Sequence, residues 1–289
     1  MRKNMNNKYI KSPMNYIGNK YRIINQIQEY FPKNIKTMVD LFCGGCDVTI
    51  NTKAEKHYAN DINYHVIDIF KSFQQHSADY VLEYINETIN KWKLSKTNEE
   101  AYKSFREYYN QTKNPLDLYV LMCFSFNYQF RFNSKHKYNN PFGKNRSSFN
   151  DVMRHNLIKM LSKLQNVEFS SKEFQDFDFT VLSKGDFLYV DPPYLITCGS
   201  YNDGKRGFTG WGEKEEYLLY DILLKLNKTG VKFALSNVVE HKGIKNDILL
   251  KWYKDNGFYL HNIDFNYKNS NYHTKNTDKV TKEILITNY

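Results

Sequence analysis

The sequence lacks long apolar runs and is poor in cysteine. No run of apolar residues approaches the length of a membrane-spanning helix, and the basic N-terminus leads into no apolar signal core. We therefore expect a cytoplasmic protein without a membrane partner. Of the four cysteines, only Cys43 and Cys46 have the spacing of a metal or redox pair, and no second close pair completes a tetrahedral site. We therefore interpret the cysteines as small buried side chains in a reducing compartment rather than as a zinc or thioredoxin-like centre.

Positive charge and aromatic side chains are abundant instead. The 289 residues contain 41 Lys and Arg against 31 Asp and Glu, a formal net charge of +10, together with 24 Tyr and 20 Phe. This combination is typical of proteins that bind a polyanion, because cations attract phosphates and flat rings stack on bases. A biased genome would produce the same totals, so the position of the charge along the chain must decide between the two interpretations.

Two short apolar segments near the N-terminus end at residues of the types that bind a nucleoside. A helical stretch is plausible over 21–30, and the run 37–42 then enters a Gly-Gly turn at 44–45, as a buried strand does. A second strand is predicted over 57–61 and ends in Asp61, the arrangement that grips a ribose in doubly wound sheets. Since the turn lacks the spacing of a dinucleotide fingerprint, we predict an adenosine-containing ligand without a pyrophosphate.

The middle of the chain, residues 64–164, is predicted to be a mainly helical insert, because its periodicity is helical and its strand signal is weak. Its second half, 127–146, interleaves cations, amides and aromatic rings at the density typical of a DNA-reading loop or hairpin. A solvated basic loop with a few anchoring aromatics is the alternative. We therefore divide the chain into three parts, residues 1–63, an insert at 64–164, and residues 165–289.

Strand and helix signals alternate again after the insert, which predicts an α/β fold with a mostly parallel sheet. Two apolar runs, 259–267 and 283–287, predict a terminal hairpin. The segment 195–212 contains five glycines, which is typical of either a mobile lid over a site or a passive surface loop. The other predicted elements of this half are strands at 166–170, 187–190 and 231–236 and a helix at 213–226.

The strand predicted to end at residue 190 is followed by a tetrapeptide, Asp191-Pro192-Pro193-Tyr194, that suits the handling of an amino group. Proline has a fixed φ and no N–H, so two in succession hold the preceding carboxylate and the intervening carbonyl at set angles. Asp191 and the Pro192 carbonyl could each accept one hydrogen of an exocyclic amine, and Tyr194 could stack on a planar base. A strand followed by an Asp-Pro turn is the alternative interpretation.

Several segments, taken in this order, resemble the Dam-like (alpha-group) DNA adenine-N6 methyltransferases over nearly the whole length of the chain. The resemblance implies a Rossmann-like sheet of the S-adenosylmethionine-dependent methyltransferase type, with an inserted, mainly helical DNA-recognition domain that carries a loop or β-hairpin. By this resemblance, 1–63 and 165–289 would be the first and second parts of the catalytic domain, and the insert 64–164 would be the target-recognition domain. The similar segments are 16–20, 40–45, 60–63, 191–194 and 236–237 in the catalytic parts, and 126–127, 131–133 and 139–144 in the insert.

The resemblance implies S-adenosylmethionine as the cofactor and no metal. Asp61 would bind the ribose hydroxyls, and Gly44 and Gly45 would admit the methionine end. The sequence departs from the family's pattern at Cys46 and Asp47, where Gly and Ser are usual. The residues that the resemblance assigns to the cofactor are Tyr16, Gly18, Lys20, Asp40, Phe42, Gly44, Gly45, Asp61, Ile62 and Asp191.

Double-stranded DNA is the implied partner. Asn127 and Lys144 would hold phosphates, Arg131 could pair with a guanine edge, and the ring of Phe126 could fill the space left by an extruded base. Asn15 stands where some relatives have a base-reading lysine. A restriction-modification system would add a cognate restriction endonuclease as a partner, and we expect a monomer or a weak dimer. The residues assigned to DNA are Phe126, Asn127, Arg131, Asn133, Pro141 and Lys144.

The implied reaction is direct transfer of a methyl group from S-adenosylmethionine to the exocyclic amine of a flipped adenine, in a restriction-modification system or by an orphan methylase. Asp191 would concentrate electron density on nitrogen and need not be a full general base. A cytosine exocyclic-amine methyltransferase and a catalytically idle DNA-binding regulator stay open as alternatives. An RNA or protein amide substrate and a restriction endonuclease are less favoured, and carbon-5 cytosine chemistry is excluded because the sequence has no Pro-Cys dipeptide.

Overall fold

The computed structural model describes residues 8–197, 208, 210–264 and 281–289. Most of the predicted lid at 195–212, including Cys198, lies outside these ranges. No helix within them has both the length and the apolarity to cross a membrane. The helices are α1 (Ile24–Ile27), α2 (Asp47–Asn51), α3 (Tyr64–Gln75), α4 (Ala78–Trp92), α5 (Glu99–Thr112), α6 (Pro115–Phe124), α7 (Asp151–Leu164), α8 (Glu213–Lys228) and α9 (Asp247–Asp255). The strands are β1 (Thr37–Asp40), β2 (Lys56–Asn60), β3 (Val167–Ser170), β4 (Phe187–Val190), β5 (Lys232–His241), β6 (Ile244–Lys245), β7 (Tyr259–Ile263) and β8 (Thr281–Thr287).

The described strands form one sheet in the order β3-β2-β1-β4-β5-β8-β7, and β6 pairs with β5. The first five strands of this order, β3 to β5, are parallel to one another. Strand β8 runs antiparallel to both of its neighbours, β5 and β7. The predicted mostly parallel sheet and the predicted pairing of the two C-terminal runs are therefore confirmed. In a doubly wound sheet of this kind, ligands bind at the carboxyl ends of the strands, where the strand order reverses.

Strand β4 is buried along its whole length because the sheet is covered on both faces. Leu188 and Val190 pack in a core with residues of α8 and α9, and Phe187 and Tyr189 pack in another with residues of α1. A strand that is buried on both faces has a continuous apolar sequence rather than an alternating one. This burial explains why β4 could be predicted, and it fixes the residues that follow β4 at the carboxyl edge.

Residues 64–164 are mainly helical, as predicted, and contribute α3 to α7. Helix α6 is buried throughout because α3, α4 and α5 pack around it. Between α6 and α7 the chain folds back on itself, and isolated β-bridges join Ser125 to Phe142 and Phe132 to Tyr138. This is the loop or hairpin predicted for the insert. Helix α3 also packs on β3, and α7 on α2, so the proposed division into domains stays a prediction.

The N-terminal helical stretch is shorter than predicted. The segment 21–30 contains α1 followed by a short 3-10 helix at Gln28–Tyr30. Phe31 then adopts extended backbone, with φ −74° and ψ 149°. The residue before a proline is disfavoured in the helical region by clashes with the proline ring, and Pro32 therefore ends the helix.

Candidate active site

Three carboxylates lie at the carboxyl edge of the sheet. Asp40 ends β1, Asp61 follows β2, and Asp191 follows β4. Because these strands are parallel neighbours, their carboxyl ends open onto one crevice. Burial raises the pKa of Asp40 to about 7, and the negative charges of Asp191 and Asp61 act in the same direction. The structure thus brings the predicted cofactor residues and the predicted amine acceptor together.

Asp61 shapes the glycine turn that follows β1. Its Oδ2 accepts the N–H of Gly44 at 2.9 Å, and its Oδ1 accepts the N–H of Asn63 at 2.9 Å. Burial raises the pKa of Asp61, while these two hydrogen bonds act in the opposite direction. A Cβ at Gly44 would lie 2.7 Å from Cδ1 of Tyr16, and the φ of Gly44 is +46°. Only glycine suits this position, which leaves bare main chain beneath the Tyr16 ring.

Asp40 has an oxygen without a partner. Its Oδ2 accepts a hydrogen bond from the Thr49 hydroxyl at 2.7 Å, whereas its Oδ1 is buried and has no hydrogen-bond partner in the described part of the chain. Leaving a buried acceptor unsatisfied costs about 1–3 kcal/mol, so such atoms are rare in folded proteins. An unsatisfied acceptor at the carboxyl edge could accept a hydrogen bond from a ligand.

Of the two departures from the family's pattern, Asp47 helps to anchor the N-terminal segment. Cys46 is fully buried and caps α2 with a φ of 63°. Asp47, the first residue of α2, accepts the N–H of Ser12 at 2.9 Å through Oδ1. One turn later, Asn51 exchanges two hydrogen bonds of 2.7 Å with the main chain of Ile10. These contacts hold the segment that carries Tyr16 and Lys20 against the sheet, a role the sequence did not reveal.

A lysine from the N-terminal segment lies against the predicted amine acceptor. Lys20 Nζ is 2.7 Å from Asp191 Oδ2 and donates to the Gly18 carbonyl at 2.8 Å. The Tyr194 hydroxyl donates to the other oxygen, Asp191 Oδ1, at 3.0 Å. Burial raises the pKa of Asp191, whereas the Lys20 ammonium lowers it. Lys20 therefore favours the ionised form of a carboxylate that burial would otherwise neutralise.

A second carboxylate completes this cluster. Glu283 lies on β8, opposite Val238 of β5, and is only 5% exposed. Its Oε1 is 3.2 Å from the Tyr194 hydroxyl and 3.8 Å from Lys20 Nζ. Sequence reasoning placed Glu283 only at the start of a strand. Nothing in its neighbourhood along the chain identifies it, because its partners approach it only through the strand order.

An aromatic wall stands beside the glycine turn. The ring of Phe42 lies 5.7 Å from the rings of both Phe174 and Trp211, and these two are 5.4 Å apart. The indole N–H of Trp211 donates to Glu216 Oε2 at 2.7 Å. Glu216 is fully buried in α8 and also accepts the Tyr220 hydroxyl. The wall is thus fixed to α8, and of its rings only Phe42 was predicted from the sequence.

The sequence matches the family described as D12 class N6 adenine-specific DNA methyltransferase over residues 16–269. The chain belongs to this family. The matched range begins at Tyr16 and includes Lys20, Asp61 and Asp191, so it covers most of the crevice, and the predicted resemblance is confirmed. Glu283 lies beyond the matched range.

The relatives of this chain include proteins of more than twice its length. It is 51% identical over 284 residues to the modification methylase StsI of Streptococcus sanguinis, covering 98% of this chain and 43% of that protein. It is 49% identical over 289 residues to the type II methyltransferase M.FokI of Planomicrobium okeanokoites, covering 99% and 44%. A DNA adenine methylase of Escherichia coli K12 is 25% identical over 194 residues, covering 65% and 66%. The chain thus spans less than half the length of the first two relatives.

The predicted DNA contacts lie on the loop between α6 and α7, and most of them are exposed. The N–H of Phe126 donates to the Pro141 carbonyl at 2.7 Å, which joins the two sides of this loop. Asn133 is half-buried, and its Oδ1 accepts the N–H groups of Lys135 and Lys137 at 2.9 and 3.0 Å, so this oxygen shapes the tip. The exposed predicted contacts are Phe126, Asn127, Arg131, Pro141 and Lys144.

The remaining predicted residues surround the same crevice. Gly18 has a φ of +82°, in the region that favours glycine. Ile62 is half-buried, Pro192 is buried and Pro193 is exposed. The three cysteines within the described ranges are buried free thiols, as predicted. The same ranges contain no group of three or more His, Cys, Asp or Glu side chains that could hold a metal ion.

Proposed function

We propose that this chain transfers a methyl group from S-adenosylmethionine to the exocyclic amine of an adenine flipped out of double-stranded DNA, at a specific sequence. The observation that carries the proposal is the position of Asp191, which follows β4 directly beside the end of β1. Leu41 N–H donates to the Tyr189 carbonyl at 3.1 Å, so the two strand ends stay in register. The amine acceptor and the glycine turn therefore lie at the same edge of the sheet.

The residues present fit S-adenosylmethionine, which supplies, when bound, a methyl group activated by a positive sulfur. Asp61 would bind the ribose hydroxyls, and the glycine turn at 44–45, which the Tyr16 ring covers, would approach the methionine end through its main chain. The unpartnered Oδ1 of Asp40 offers a buried acceptor to a donor group of this ligand. Phe42 and its two aromatic neighbours would provide the apolar surface on which an adenine ring packs.

Asp191 would orient the amine of the target base. Each carboxylate oxygen has two acceptor positions, and Lys20 and Tyr194 use one on each oxygen. Acceptor capacity therefore remains for one hydrogen of the amine, and the Pro192 carbonyl would take the other. A carboxylate and a carbonyl that hold both hydrogens favour the geometry in which the nitrogen lone pair is available for attack.

The exposed loop between α6 and α7 would provide DNA recognition. Asn127 and Lys144 would hold phosphates, and Arg131 would read a guanine edge in the major groove. The exposed ring of Phe126, 43% accessible, would occupy the gap that the flipped adenine leaves. Because the chain carries a net charge of +10, we expect DNA affinity to fall steeply with salt concentration.

We further propose that the protein acts in a restriction-modification system, in the cytoplasm and with a cognate restriction endonuclease as its counterpart. Its relatives StsI and M.FokI are named a modification methylase and a type II methyltransferase, which supports this setting. We propose that the chain itself acts as a monomer or a weak dimer.

The test is methyl transfer from labelled S-adenosylmethionine to duplex DNA, followed by analysis of the modified nucleosides. We expect N6-methyladenine from the wild type and no transfer by Asp191→Ala, with DNA binding retained by the variant. Asp178→Ala, which removes an exposed aspartate whose carboxylate accepts only local hydrogen bonds from Thr180, is the control and should remain active. N4-methylcytosine would instead identify a cytosine amine methyltransferase. DNA binding without any transfer would identify an idle regulator, and transfer by Asp191→Ala would remove Asp191 from the reaction.

A further inference from the structure

The Tyr194 hydroxyl lies between two carboxylates. It is 3.0 Å from Asp191 Oδ1 and 3.2 Å from Glu283 Oε1. A phenol has one proton, so it can donate to only one of these oxygens at a time. Both short contacts are hydrogen bonds at once only when one of the two carboxylates is protonated and donates to the phenol oxygen. The three groups therefore form a chain along which one proton can pass.

Lys20 belongs to the same cluster and contacts Asp191 through the carboxylate oxygen that Tyr194 does not use. Its Nζ is 2.7 Å from Asp191 and 3.8 Å from Glu283, and Lys20 and Glu283 are each 5% exposed. The cluster thus holds one ammonium, two carboxylates and one phenol, largely out of contact with water. With both carboxylates ionised its net charge is −1, so there is room for one additional positive charge.

Given the proposed function, on which this inference rests, we propose that Glu283 takes up, through the Tyr194 hydroxyl, the proton that the target amine loses. The nitrogen–methyl bond forms as the bond from the methyl carbon to sulfur breaks, and the electron pair of that bond stays on sulfur. One N–H proton then passes to Asp191. Asp191 gives this proton to the Tyr194 oxygen while the Tyr194 hydroxyl gives its own proton to Glu283.

The surroundings of Glu283 suit a proton acceptor. Burial raises its pKa, and the charge of Asp191 acts in the same direction, whereas Lys20 lowers it. Tyr194 faces it from the end of β4, and the phenol of Tyr189 is close enough to feel its charge. Methyl transfer turns a positive sulfonium into a neutral thioether, so a proton kept on Glu283 leaves the total charge of the crevice unchanged. No charge need enter or leave the buried site during the reaction.

Glu283 acts through Tyr194 and does not touch the reacting atoms, so it is a positioning residue. The decisive variant is Glu283→Gln, which keeps the shape of the side chain and cannot accept the proton. We expect its single-turnover methylation rate to fall at least about tenfold near neutral pH. Affinities for S-adenosylmethionine and for DNA should stay within about twofold of the wild type, because neither ligand is held by Glu283.

The pH dependence separates proton uptake from simple anchoring. Between about pH 5.5 and 9, the wild-type rate should fall on the acidic side as the Glu283 carboxylate becomes protonated. This fall should be displaced or lost in Glu283→Gln and in Tyr194→Phe. The double variant should be no slower than the slower of the two single variants, because both changes interrupt the same proton transfer from Asp191 to Glu283. Glu283→Asp should restore part of the rate and the acidic limb.

Glu240→Gln is the matched control. Glu240 lies on the neighbouring strand β5 and forms an ion pair with Lys282 at 2.7 Å, and it is far more exposed than Glu283. It should leave the rate and the pH profile unchanged. Wild-type rate and profile in Glu283→Gln would overturn the inference, and so would a loss that is uniform with pH and accompanied by weaker cofactor binding. If Glu283→Gln does not fold, an unchanged acidic limb in Tyr194→Phe overturns it. Absence of transfer by the wild type would instead overturn the proposed function.

Discussion

The side-chain amide of Asn15 donates a hydrogen bond to the main-chain carbonyl of Asn127 at 2.7 Å. Asn15 directly precedes Tyr16, whose ring covers the glycine turn. Asn127 lies in the loop proposed to contact DNA and has a left-handed φ of 54°, which asparagine adopts more readily than most residues. This one hydrogen bond therefore connects the proposed cofactor side of the crevice to a tight turn of the main chain on the proposed DNA side.

Replacing Asn15 with alanine should weaken DNA binding and leave cofactor binding intact. The lost hydrogen bond is exposed and neutral, so its contribution is about 0.5–1 kcal/mol, or two- to fivefold in affinity. The measurement is a pair of titrations, one with a duplex substrate and one with S-adenosylmethionine. Asn19→Ala, which removes another local amide-to-carbonyl hydrogen bond of the same segment, is the control. Equal weakening of both ligands by Asn15→Ala would contradict the assignment.

Replacing Asp61 with alanine should lower affinity for S-adenosylmethionine. The carboxylate would lose its bonds to the ligand's hydroxyls, and the turn would lose the acceptor of the Gly44 N–H. Hydrogen bonds to a charged group contribute about 1.5–3 kcal/mol, so we expect a ten- to hundredfold loss by calorimetric titration. Glu168→Ala on the adjacent strand β3, which removes an exposed carboxylate paired with Lys56, should bind normally. Unchanged affinity in the Asp61 variant would exclude the predicted ribose contact.

The parts of the site that local sequence determines could be predicted. Asp61 and Asp191 each follow a strand whose buried residues form a recognisable apolar run, and a carboxylate at the end of such a run lies at the carboxyl edge of a parallel sheet. The glycine turn was recognisable for the same reason. The family resemblance then supplied the roles that local pattern alone left open, such as those of Tyr16 and Lys20.

The parts that depend on distant pairing could not be predicted. Glu283 meets Lys20 only because β8 inserts between β5 and β7, and no local pattern encodes that order. Trp211 and Phe174 are likewise brought to Phe42 by tertiary packing. The first helical stretch ends at Tyr30, as predicted, and this end has a local cause in Pro32. Its late start at Ile24 has no such local signal.

The stability of the protein should fall as pH rises from about 4 to 8, because burial raises the pKa of Asp40 from its ordinary 3.8 to about 7. The folded state holds this proton more tightly than the unfolded chain does. Protonation therefore stabilises the fold below the unfolded pKa, and this contribution is lost as pH rises through about 7. The loss is up to about 4 kcal/mol for a shift of this size.

Asp40→Asn should flatten this pH dependence of the free energy of unfolding, measured with urea at several pH values. Above about pH 7, where Asp40 is ionised, the variant should also bind S-adenosylmethionine more weakly, because the amide replaces a charged acceptor with a neutral group. Thr49→Val removes the hydrogen bond that favours the ionised form and should make the dependence steeper. Burial also raises the pKa of Asp47 to about 7, so Asp47 should contribute to the slope that remains. An unchanged slope in Asp40→Asn would show that Asp40 does not titrate in this range.

Glu216→Ala should be among the most destabilising single changes in the chain. Its fully buried carboxylate accepts hydrogen bonds from two aromatic side chains and lies 3.4 Å from the amides of Asn237 and Asn246. Removing it leaves several buried donors without an acceptor, which costs about 3 kcal/mol or more. Urea unfolding measures this loss, and Glu213→Ala, at the exposed start of the same helix, should cost less than about 1 kcal/mol.

Because Glu216 also fixes Trp211 beside Phe42, Glu216→Ala should bind S-adenosylmethionine more weakly under conditions where it remains folded. Normal cofactor affinity in the folded variant would separate the aromatic wall from the cofactor site.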